Sequence, residues 1–91
     1  MANYWLIKDG DPVDSNRVMA TARSIEKARS KAIGLLKESS MSGVIVYRTD
    51  SFNHGVVSRL RSGWAFSGYM WTTKDGARYI LNENGTLGRR F

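Results

Sequence analysis

The sequence predicts an α+β fold: one twisted, mostly antiparallel sheet of four to six strands, with a single α-helix packed on one face. Two observations lead to it. Between Gly63 and Phe91 (GWAFSGYMWTTKDGARYILNENGTLGRRF) three strand-forming runs are separated by Asp75-Gly76 and Asn84-Gly85. Those dipeptides tolerate the positive φ that tight hairpin turns require, so the stretch reads as a three-stranded meander. Upstream, one amphipathic helical pattern stands between strand-like segments.

Tyr4 to Lys8 is an aromatic and aliphatic run read as the first strand. Asp9-Gly10-Asp11-Pro12 ends it, because proline has no N–H to give a ladder. Arg17 to Thr21 is read as a short return strand. Ser24 to Ser39 (SIEKARSKAIGLLKES) is the one clear helix. Ser24 is placed to cap it, and Glu26 lies in the first turn, where the helix dipole favours negative charge. Ile25, Ala28, Ala32, Leu35 and Leu36 fall on one apolar stripe, and the two alanines allow a close approach to a sheet. Val44 to Thr49 is a near-continuous apolar run, the pattern of a central strand buried on both faces. Asp50 to Gly55 reads as a loop. Val56 to Arg61 is a further strand in which Val57 and Leu60 break strict alternation. The whole, residues 1–91, makes one small domain.

If each Asx-Gly pair is a two-residue loop, the meander acquires a register. Trp71 then opposes Ile80, and Ile80 opposes Arg89. Trp64, Phe66, Met70, Tyr79 and Leu81, with Arg90 at the margin, fall on one face and are assigned to the core. Tyr69, Trp71, Thr73, Arg78, Ile80, Asn82, Leu87, Arg89 and Phe91 fall on the other and are assigned to solvent. A slip of one residue swaps the two sets.

Charge points to a polyanion. The chain carries 14 Lys and Arg against 8 Asp and Glu, a net charge of +6. The excess sits on the helix and the meander: residues 16–37 hold six basic residues and one acidic. Nucleic acid, RNA or single-stranded DNA, is therefore the first expectation. In that reading Tyr69, Trp71 and Phe91 stack on bases, while Arg78, Arg89 and, at the hairpin tip, Lys74 contact phosphates. Arg23, Lys27 and Lys31, at four-residue spacing along the helix, form a secondary basic patch. A ligand using both sites would have to wrap around the domain. Rings beside arginines also finish an ordinary sheet surface by cross-strand stacking, and a basic helix face is commonly just solvated.

The same residue types are those of protein-binding hot spots. The alternative is therefore a non-enzymatic interaction module, such as a phage- or mobile-element-encoded inhibitor of a bacterial enzyme. The terminal strand, Thr86 to Phe91, is an edge through which a homodimer would pair. Catalysis comes third. His54, the one histidine, suits a small ribonuclease with Arg59 or Arg61 as phosphate clamp. Asp50, Ser51 and His54 sit too close together in one loop for a hydrolase triad. No catalytic set, metal site or cofactor motif is assigned: there is no cysteine, and a calcium loop opening at Asp9 would meet Ala20 where an acidic ligand belongs. No apolar run reaches the roughly 18 residues of a membrane span, and no basic region precedes the short N-terminal apolar run, so a soluble cytoplasmic protein is expected.

Overall fold

The computed structural model describes residues 3–39, 41–49, 55–63 and 68–90, with 62 and 63 described by their backbone alone. The elements are β1 (Tyr4–Lys8), a 3-10 turn (Ser15–Arg17), β2 (Val18–Ala22), α1 (Ile25–Glu38), β3 (Gly43–Arg48), β4 (Gly55–Gly63), β5 (Gly68–Thr73), β6 (Arg78–Leu81) and β7 (Leu87–Arg90). All the strands belong to one antiparallel sheet of seven, in the order β2-β1-β3-β4-β5-β6-β7. This is the predicted α+β class with more strands than the four to six expected. Both of the less regular segments, around Arg17–Thr21 and Val56–Arg61, contribute strands to the sheet, each with one bulge. The connection from β2 through α1 to β3 crosses over β1, which therefore lies between its neighbour in sequence, β2, and the more distant β3.

The helix ends where its sequence says it should. The Ser24 hydroxyl accepts a hydrogen bond from the Lys27 N–H at 3.2 Å, and the Ser39 N–H donates to the Leu35 carbonyl at 3.0 Å. Ala28, Ala32, Ile33 and Leu36 are buried against Leu6, Val44, Val46, Leu60, Trp71 and Leu81 of the sheet. Ala28 and Ala32 have no exposure, as the close-packed stripe requires. Strand β4 reaches the same core with Val57 and Leu60, three residues apart. A bulge opposite the Val46–Tyr47 step inserts one residue and lets both side chains face the helix. That bulge accounts for the broken alternation in the sequence.

Both meander turns contain three residues, not the two expected. In the first, the Gly76 N–H donates to the Thr73 carbonyl at 2.9 Å and the Thr73 N–H to the Ala77 carbonyl at 2.8 Å. In the second, the Gly85 N–H donates to Asn82 at 3.0 Å and the Asn82 N–H to Thr86 at 2.9 Å. Gly76 and Gly85 each have φ of +90°, the left-handed conformation that closes a type I turn with a glycine bulge. The Thr73 hydroxyl donates to the Asp75 carboxylate and holds that carboxyl below its ordinary range.

One extra loop residue moves each pairing by one. Trp71 opposes Tyr79, Tyr69 opposes Leu81, and Leu81 opposes Leu87. The expected solvent positions of Tyr69, Trp71 and Leu87 are thereby corrected. Trp71 is fully buried, and Tyr69 and Leu87 pack against the same core. Met70, expected inside, lies on the opposite face in register with Ile80. Tyr79 and Leu81 face the helix as expected. Arg90 joins them because a bulge in β7 returns it to Tyr79, its guanidinium 5.9 Å from the ring centroid. Trp64, Phe66 and Phe91 lie outside the described residues.

The β6–β7 turn closes against the helix. Gly85 is buried, and a Cβ built there would meet Ser30 Oγ and lie 2.9 Å from the Glu26 carbonyl oxygen. Lys37 Nζ donates to Glu83 Oε1 at 2.8 Å, which raises the lysine pKa and lowers the carboxyl's. The open turn at Gly76 is the natural control, since nothing lies within 4 Å of a Cβ there. Gly76→Ala is expected to cost about 1 kcal/mol for the left-handed backbone alone. Gly85→Ala should cost at least about 1 kcal/mol more, because backbone stands in the way. Denaturant unfolding of the two variants measures the difference. For Glu83, whose folded carboxyl is depressed, the stabilisation is present above the unfolded pKa and lost as pH falls through the folded value. Thermal melts should show Glu83→Gln slightly less stable than the parent at neutral pH, with the difference vanishing as pH falls through the folded carboxyl's pKa.

Candidate nucleic-acid interface

Alternation along each strand sends every second side chain away from α1, onto a face that no described helix or strand covers. Cross-strand register arranges those side chains in rows. The first row runs Thr21, Trp5, Tyr47, Val56 across β2, β1, β3 and β4. The second runs Ile7, Ile45, Arg59, Thr72, Arg78 across β1, β3, β4, β5 and β6. A third carries Arg61, Met70 and Ile80.

Two rings and three arginines dominate this surface. Trp5 and Tyr47 form a tilted pair, their centroids 6.1 Å apart with 31° between planes. Both are half-buried, so each ring is anchored by its neighbours and keeps part of its surface open. In the next row of the same face, Ile7 and Ile45 are buried without belonging to the helix-side core, so the face is not open at those two positions. Arg59, Arg61 and Arg78 are exposed. Arg61 Nη2 lies 3.3 Å from Asp9 Oδ2, the one ion pair described on this side. Arg59 and Arg78 share a row with Thr72 between them, which sets their strands roughly 10 Å apart. Lys74, at the tip of the β5–β6 turn, joins Arg59, Val56 and Thr72 around a shallow groove of about 310 Å³.

The predicted site residues therefore part company. Lys74, Arg78 and Arg89 are exposed, Arg78 on the open face and Arg89 on the edge strand β7. Trp71 is in the core and offers no ring to a ligand on that face, and Tyr69 is half-buried beside it. Phe91, and His54 with its neighbours Asp50 and Ser51, lie outside the described residues. In the sequence, nothing local joins Trp5 to Tyr47. They meet because β1 and β3 pair across the crossover, so spacing along the chain could not find them. Arg59 and Arg61 were legible as strand cations, but their face depended on the bulge at Val57.

The secondary basic patch does not stand alone. Arg23, Lys27 and Lys31 line a groove of about 490 Å³ together with Asn3, Trp5 and Thr21. The Lys31 ammonium donates to the Thr21 carbonyl, binding the helix to the outer edge of β2. Trp5 thus belongs to both the open sheet face and the basic groove. The two basic regions adjoin at one tryptophan, and a ligand engaging both passes around the β2 edge.

Among the described residues no group of three His, Asp or Glu side chains stands close enough to hold a metal ion, and no helix is long and apolar enough to cross a membrane. Comparison with protein-family models, with curated proteins and with solved structures finds no match.

Proposed function

We propose that this protein binds single-stranded nucleic acid, RNA or DNA, on the sheet face opposite the helix, in the cytoplasm and without chemistry of its own. The observation that carries the reading is the Trp5–Tyr47 ring pair on the same sheet face as exposed Arg59, Arg61 and Arg78. Stacking a base on such a ring contributes about 1–3 kcal/mol and is tolerant of base identity. The arginines supply phosphate contacts at neighbouring register positions. With a net charge of +6 the chain attracts polyanions before contact is made. From Trp5 the strand continues over the β2 edge into the groove of Arg23, Lys27 and Lys31, so one ligand engages both basic regions.

Fluorescence anisotropy with labelled single-stranded RNA and DNA tests the site. Arg59 and Arg78 are exposed, so Arg59→Ala/Arg78→Ala should keep the parent's circular dichroism. Binding should weaken, and the slope of log K against log salt should shrink by about 0.7 for each phosphate contact removed. Trp5→Ala should lose about 1–3 kcal/mol of affinity with little change in that slope. A folded double variant with the parent's affinity and slope would refute the site.

A further inference from the structure

On the helix side, a separate groove of about 590 Å³ opens between the start of α1 and strands β1, β3, β4 and β5. Its volume falls within the roughly 300–1,000 Å³ of small-molecule sites. Tyr4, Ile25, Val57 and Trp71 line it with apolar surface. Arg29 and Lys74 line it too, and the Arg29 guanidinium carbon lies 5.3 Å from the centroid of the Trp71 ring.

Two polar atoms here have no partner. Trp71 Nε1 and Arg29 Nε are both buried and both lack a hydrogen-bond acceptor. Buried polar groups in folded proteins nearly always find one, so two unmet donors on adjoining side chains in one groove call for an acceptor from outside the chain. Its charge follows from the lining. Among the described lining residues Arg29 and Lys74 stand against Asp75, and the Asp75 carboxylate already accepts from the Thr73 hydroxyl. An anionic head is favoured there, and the apolar lining favours a hydrophobic body attached to it.

We infer that this groove binds a small amphiphilic carboxylate, with its head accepting from Arg29 Nε–H and Trp71 Nε1–H and its apolar body against Tyr4, Ile25 and Val57. The groove opens on the helix side of the sheet, shares Lys74 at the β5–β6 turn with the proposed nucleic-acid face, and does not depend on that face. Monomeric octanoate is the probe, followed by the indole N–H cross-peaks in ¹H–¹⁵N spectra. Trp5→Phe and Trp64→Phe variants assign the Trp71 peak by elimination. Octanoate should move that peak saturably, while octylamine (the same body, opposite charge) and acetate (the same head, no body) leave it in place. Arg29→Met should weaken octanoate binding at least tenfold with the remaining spectrum preserved. An unmoved Trp71 peak, an equal response to octylamine, or an Arg29→Met protein that titrates like the parent would each overturn the assignment.

Discussion

Two glycines in the left-handed conformation govern this structure. Gly76 and Gly85 each close a three-residue turn, and each turn sets the register of a hairpin. Because side chains alternate with a period of two, register decides which residues enter the core. With these turns, Trp71 and Leu81 face the helix and Met70 and Ile80 face away. The energetic consequence is large for a small domain. Burying an aromatic side chain removes about 150–250 Å² from water, worth roughly 4–6 kcal/mol at 25 cal/mol per Å². The unpaired Trp71 indole N–H offsets only about 1–3 kcal/mol of that. Burial wins, and the unmet donor remains as a chemical signature at the margin of the core.

Gly85 has a second role. Its turn lies against the helix backbone at Glu26 and Ser30, with Glu83 paired to Lys37 one side further along. The far end of the meander is thus tied to the element that the near end of the sheet packs on. The crossover does the complementary work at the other side. By placing β1 between β2 and β3, it brings Trp5 beside Tyr47 and also beside the basic side of α1. A chain with no charged motif in the usual sense thereby gathers rings and cations from five elements into adjoining surfaces.

Much of the fold was legible in local chemistry. Ser24 and Ser39 bound the helix in sequence and in space, and the alanine stripe named its buried side. The turns were located correctly, yet their length was not. Asp-Gly and Asn-Gly serve both two-residue turns and three-residue turns that end in a left-handed glycine, and the dipeptide alone does not choose. In the structure the choice is supported by side chains: Thr73 Oγ1 to Asp75, and the Thr86 N–H to Asn84 Oδ1 at 3.1 Å. The candidate site suffered from that single residue of length. Lys74 and Arg78 kept their place at the surface, Trp71 exchanged it for the core, and Trp5 and Tyr47 depended on a strand pairing that no local pattern encodes.

The register is open to direct measurement. Thr73 and Ala77 form a hydrogen-bonded pair, so Thr72–Arg78 and Met70–Ile80 are the close, non-hydrogen-bonded pairs of this hairpin. Nuclear Overhauser effects between α-protons should join Thr72 to Arg78 and Met70 to Ile80. Effects joining Thr73 to Arg78 and Trp71 to Ile80 would instead mean a two-residue turn. They would bring Arg78 and Ile80 to the helix side with Trp71, which β4 holds there through Leu60, and send Tyr79 and Leu81 to the open face, contradicting the partition on which the proposed nucleic-acid face rests.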